Sequence, residues 1–160
     1  MKKVYFAILL LFIFGGGLAF IKFNPPLEIG TLGYSEDNKS VVVGVGNNGF
    51  RNLKIVEVVV NQHEKASDVK IQKSNALQGF IVTDDFRNVE AKEYVFTDMN
   101  QISIKSGTSP SANFEKLDEG MASENDEIYG ISVIHPNAIH TVHIKYKYFG
   151  MSFNETVEIL

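Results

Sequence analysis

The last twenty residues alternate with a period of two, and that pattern constrains the backbone more than anything else in the chain. Val142, Ile144, Tyr146 and Tyr148 alternate with Thr141, His143, Lys145 and Lys147. Beyond Gly150, Phe153, Val157 and Ile159 alternate with Ser152, Asn154, Thr156 and Glu158. Successive side chains of an extended chain point to opposite faces, so each run gathers its apolar residues on one side. On a helix the same residues would be scattered around the axis. The segment therefore reads as an antiparallel hairpin that turns at Gly150, with one buried face and one solvated face.

The same kind of signal recurs upstream. Leu27–Tyr34 alternates loosely. Ser40–Gly46 carries Val41, Val42, Val43 and Val45, β-branched residues that pack well on a pleated surface. Asn47-Asn48-Gly49 is a turn signal, because Asn and Gly tolerate positive φ. Leu53–Asn61 follows, with a break of apolar phase near Glu57 that reads as a bulge or as burial on both faces. Shorter β-rich pieces lie at Val69–Gln72, Gly79–Thr83, Tyr94–Thr97, Ile102–Lys105 and Ile128–Ile134, the last expected to pair near the terminal hairpin. One stretch departs from this pattern. Ser109-Pro110 resembles an N-cap followed by proline at the first helical position, Phe114 and Leu117 are one turn apart, and Gly120 is a stop. A short helix is expected at 110–119. Many strands spaced by turns, without a long helix, indicate an all-β sandwich of seven to nine strands.

The run Val41–Gly49, continued by Ile55-Val56-Glu57-Val58, resembles the second and third strands of immunoglobulin-like domains of the fibronectin type III or bacterial adhesion-module kind. His140–Ile159 is similar to their last two strands. The resemblance implies an immunoglobulin-like antiparallel β-sandwich with one short helix. The cysteine pair and core tryptophan of antibody domains are absent, since the chain holds no Cys and no Trp. Modules of this kind serve as spacers, adhesins and subunit-interaction domains.

The N-terminus is of a different character. Met1-Lys2-Lys3 precedes the uncharged run Val4–Ile21, which is followed by Lys22. Eighteen residues span roughly 27 Å as a helix, enough for most of a hydrocarbon core. A signal-anchor and a secretory signal cleaved after Ala19, at Gly17-Leu18-Ala19, are both compatible with this order of residues. Phe20, Ile21 and Phe23 continue the apolar character past that point and favour the anchor. The flanking lysines place the N-terminus in the cytoplasm and the remainder outside. The division expected is a membrane segment at 1–23, a stiff proline linker at 24–26 and a β-sandwich ectodomain at 27–160. Secretion after cleavage is the alternative localisation.

Charge excludes one class of partner. Residues 24–160 hold 12 basic and 19 acidic side chains, about −7 in all, and no basic run. Nucleic-acid binding, which needs clustered Lys and Arg, is not expected.

Candidate chemistry is sparse. His135, His140 and His143 resemble a ligand cluster in spacing, but on a strand His140 and His143 face opposite ways. These and His63 read as surface or loop histidines. Asp84-Asp85 and the group Glu115, Asp118, Glu119, Glu124, Asp126 and Glu127 lack the alternating ligands and central glycine of a calcium loop. Gly44-Val45-Gly46 lies within a strand and opens no helix, so it is not a phosphate loop. Tyr146, Tyr148, Phe149 and Phe153 offer an aromatic strip, with the two tyrosines expected in the core. Asn38 and Asn154 stand in glycosylation sequons, relevant only on a eukaryotic secretory route. No catalytic, metal-binding or cofactor-binding residue is assigned. The expected role is that of a non-enzymatic envelope module which binds another envelope or membrane protein. The alternative is a binder of a small ligand, cation or glycan through loops at one end of the sandwich.

Overall fold

The computed structural model of the chain describes residues 5, 15–17 and 19–159. The expected membrane segment, Val4–Ile21, falls largely outside them; the parts described are helical. Among the described residues no helix is long and apolar enough to cross a membrane.

Among the described residues nine strands form two antiparallel sheets. The strands are β1 (Leu27–Tyr34), β2 (Ser40–Asn47), β3 (Lys54–Val60), β4 (Glu64–Lys65), β5 (Asp68–Asn75), β6 (Val95–Thr97), β7 (Glu127–Ile134), β8 (Thr141–Tyr148) and β9 (Met151–Glu158). One sheet has the order β1-β2-β7-β5-β6, the other β4-β3-β8-β9. Their facing sides make one core, in which Val41, Val43, Val45, Ile71 and Ile131 of the larger sheet are buried together with Ile55, Val58, Val142, Ile144 and Tyr146 of the smaller. Pairing in register from Thr141↔Glu158 to Tyr148↔Met151 confirms the terminal hairpin. Its turn, Phe149-Gly150, has φ of +50° and +76°, the positive pair that suits the twist of two-residue hairpins.

The helix α1 (Pro110–Asp118) also forms as expected, with Ser109 Oγ accepting from Ala112 N and proline in the first turn. The phase break near Glu57 is a bulge: the β3–β8 register slips between Ile55 and Glu57, and Val56 is exposed. The strand buried on both faces is instead β2, every residue of which is buried.

Three expectations fail, each for a non-local reason. Ile128–Ile134 does not pair beside the terminal hairpin; β7 lies between β2 and β5 in the opposite sheet. Gly79–Thr83 is not a strand. The side-chain amide of Gln72 takes the place of a partner backbone, donating to Ile81 O at 3.2 Å and accepting from Ile81 N at 3.0 Å when its N and O are oriented to match. Ile102–Lys105 contributes only an isolated bridge, Leu53↔Ile104. All of these pieces except β7 belong to the long connection between β5 and β7, which also carries β6 and α1.

Before β1, Asn24 closes the N-terminal helical segment by donating twice to Phe20 O, and Ile21 is buried as part of the core. Pro26 is buried beneath the β2–β3 loop, where its carbonyl accepts from Asn48 N at 2.9 Å.

Candidate functional site

The connection between β5 and β7 is laid over the outer face of the larger sheet, and glycines let it come close. A Cβ on Gly46 of β2 would run into Thr108 O and the Pro110 ring. A Cβ on Gly130 of β7 would lie 3.1 Å from the Phe80 ring. Phe80, from the 79–82 segment, and Pro110, from the start of α1, therefore rest directly on a floor without side chains. Between them remains a cleft of about 300 Å³, walled by Val42, Val45, Val82 and Ile128, with Gly44 of β2 in its lining. Among the described residues no charged side chain lines it.

Four hydrogen bonds hold the cleft's helical wall. Ser109 Oγ donates to Glu28 Oε2 at 2.6 Å, and Ser111 N donates to Glu28 Oε1 at 2.9 Å. Burial acts to raise the Glu28 carboxyl, but the bonds from Ser109 and Ser111 outweigh it and hold the pKa below the usual value. A carboxylate at a helix N-terminus is also favoured by the helix dipole. Thr108 Oγ1 accepts from Asn47 N at 3.2 Å and donates to Lys105 O at 2.8 Å, which ties the same wall to the end of β2.

The polar contribution to the cleft is small. Asn113 is buried in its wall, and its Nδ2 has no hydrogen-bond partner among the described residues. An unpaired buried amide donor is costly and needs an explanation. At the mouth, Phe114 and Leu117 of α1 are exposed, and Leu77 and Met121 stand exposed on the adjoining segments. Phe114 and Leu117, the apolar pair of the helix sequence, thus face the cleft and solvent rather than the core.

The histidines do not converge. His135 is buried, contrary to its expected place on the surface, and its Nε2 lies 3.2 Å from Glu64 Oε2. His140 is exposed. His143 stacks on His63 with centroids 4.4 Å apart and places Nε2 2.8 Å from Asn61 O. The neighbouring Glu155 carboxyl is pushed up by burial. Among the described residues no three His, Asp or Glu side chains are grouped to hold a metal ion.

Of these acidic residues Asp85, Asp126 and Glu127 are held in ion pairs. Lys116 and Ser123 hold Asp126 down to about 2. Burial alone would raise Glu127, but hydrogen bonds from Lys105, Lys73 and Tyr129 bring it to about 2.

Tyr146 and Tyr148 are in the core as expected, while Phe149 leaves the strip for the surface. It packs against Phe50, the rings tilted at 49° with centroids 5.2 Å apart, and carries Arg51 over its ring at the same distance. The cleft itself escaped sequence reasoning, which looked for ligands at the loop ends. Gly44 and Gly46 in a valine strand were its trace, since glycine inside a strand marks close approach by another backbone.

Compared with protein-family models, with curated proteins and with solved structures, the chain matches none.

Proposed function

We propose that this chain is an immunoglobulin-like module of the cell envelope, tethered by its N-terminal apolar segment with its C-terminus outside, and that it works by binding another envelope protein rather than by catalysis. The observation that carries the reading is the strand order. With β4 and β6 set aside as additions, β1-β2-β7-β5 and β3-β8-β9 follow the four-strand and three-strand sheets of the constant-type immunoglobulin domain in chain order. Folds of this type support many functions, so the role is argued from the surface. That surface is the mouth of the cleft, where Phe114 and Leu117 are exposed beside an uncharged depression. Apolar groups gathered in this way mark interaction sites.

The experiment is capture of the full chain from detergent-solubilised membranes, with the wild type beside Leu117→Glu and a control at Val95→Glu, and identification of co-purifying proteins. A partner retained by the wild type and the control but lost from Leu117→Glu supports the reading. Equal retention by all three overturns the assigned surface. External protease on spheroplasts tests the topology: protection of residues 24–160 overturns the orientation, and a soluble protein beginning at Phe20 overturns the anchor.

The unpaired Asn113 amide favours one second reading, a small uncharged ligand in the same cleft. Native mass spectrometry of the purified chain, showing a bound mass that Asn113→Leu loses, would support it.

A further inference from the structure

We infer that the end of the sandwich next to the linker is a lipid-contacting tip, which dips phenylalanines into the bilayer interface and sets cations against lipid phosphates. This rests on the tethered reading proposed above. Three segments meet at that end: residues 19–26, the β2–β3 loop and the β8–β9 turn. Their contact is direct. Asn48 N donates to Pro26 O, a Cβ on Gly49 would lie 2.9 Å from Pro26 Cβ and 2.6 Å from Tyr148 Oη, and Phe50 N donates to Tyr148 Oη at 3.1 Å.

These segments expose Phe20, Phe23, Phe50 and Phe149, with Phe23 and Phe50 at 80% and 73% of full exposure. Among the described residues only one other phenylalanine, Phe114, is exposed to a comparable degree. Four phenylalanines at one end leave a patch that a freely soluble surface rarely carries.

The charges of these three segments are of one sign. Residues 19–26, 48–54 and 147–152 hold Lys22, Arg51, Lys54 and Lys147 and no Asp or Glu, in an ectodomain that is otherwise acidic. Lys54 and Lys147 stand directly opposite each other across β3 and β8, a like-charge pair that costs stability. Elsewhere at this end Asp126 and Glu127 are paired with Lys116, Lys105 and Lys73, whereas Glu28 of β1 keeps its charge but turns it to Ser109 and Ser111 of the cleft wall.

The occupant follows from continuity. Ile21 is packed in the core and Phe20 O is capped by Asn24, so the end of the apolar N-terminal run is fixed against this same face. If that run enters a bilayer, the tip stands at its surface. Aromatic rings with basic residues above them suit the boundary between acyl chains and phosphates.

The chain contains no Trp, so Phe50→Trp introduces a single fluorophore at the tip and Asn137→Trp a control in the exposed β7–β8 loop at the opposite end of the sandwich. Each full-length variant is reconstituted in vesicles of phosphatidylcholine and phosphatidylglycerol, with and without lipid brominated near the headgroup end of the chains. The Phe50→Trp variant is expected to lose most of its emission with brominated lipid, while the Asn137→Trp variant keeps its own. Alkaline carbonate extraction of the same vesicles separates the two failures. Resistance to carbonate with unquenched emission from Phe50→Trp overturns the tip and leaves the tether standing, the result expected if another protein covers these phenylalanines. Release by carbonate overturns the tether and the tip together.

Discussion

Tyr146 lies at the centre of the core, fully buried and stacked on Phe153 with ring centroids 5.3 Å apart. Burial pushes its phenol up to about 12. Removing the ring leaves a cavity that the two sheets cannot close, so Tyr146→Ala is expected to lose about 3–5 kcal/mol. Its neighbour Lys145 faces solvent and reaches Glu57 only at 3.8 Å. Lys145→Ala should therefore change stability by less than about 0.5 kcal/mol. Urea midpoints measure both, and equal shifts would contradict the assignment of faces. At Glu127 the folded carboxyl, at about 2, lies below its unfolded value of 4.5. Its stabilisation is therefore complete above about pH 4.5 and is lost as pH falls toward 2. After allowance for partial exposure the effect is of order 1–2 kcal/mol. Glu127→Gln should flatten the fall of the urea midpoint across that window. An unchanged acid slope would show that the three hydrogen bonds do not act on the carboxylate.

At the scale of elements, β2 decides the most. Its inward residues Val41, Val43 and Val45 fill the core, while Val42, Gly44 and Gly46 take the weight of the connection laid over the outer face. Gly46→Val drives a branched side chain into the Thr108 carbonyl and the Pro110 ring, backbone and ring atoms that cannot rotate away. A loss of about 1–3 kcal/mol is expected from overpacking, read as a lower thermal midpoint. A variant that melts like the parent would mean that the connection is not seated on the sheet. Elements with local signals were legible: β1 has the bounds read from its sequence, and α1 carries its own cap and proline. The 79–83 run was not, because its partner is the amide of Gln72, and no periodicity reports a side chain that imitates a strand.

On the scale of the whole molecule, the absence of a grouped set of ligands among the described residues predicts that chelators leave the thermal midpoint unchanged. A fall restored by one particular cation would place a site that these side chains do not reveal. What the sequence determined by itself was whatever repeats within a few residues: the faces of the terminal hairpin, its turn, the helix start and stop, and the apolar run ahead of the proline linker. Tertiary structure alone decided which strands became neighbours. It set β7 beside β2 and β5, drew Phe50 and Phe149 together across the two ends of the chain, and buried His135. It also brought Gly44 of β2 into the lining of a cleft. The reason is physical. Side-chain alternation is imposed by the backbone and is present in any short segment, whereas strand neighbours and cavities arise from contacts between residues far apart in the chain. Their signals in the sequence, a glycine in a strand or an extra Phe in a turn, acquire meaning only when the other partner is in place.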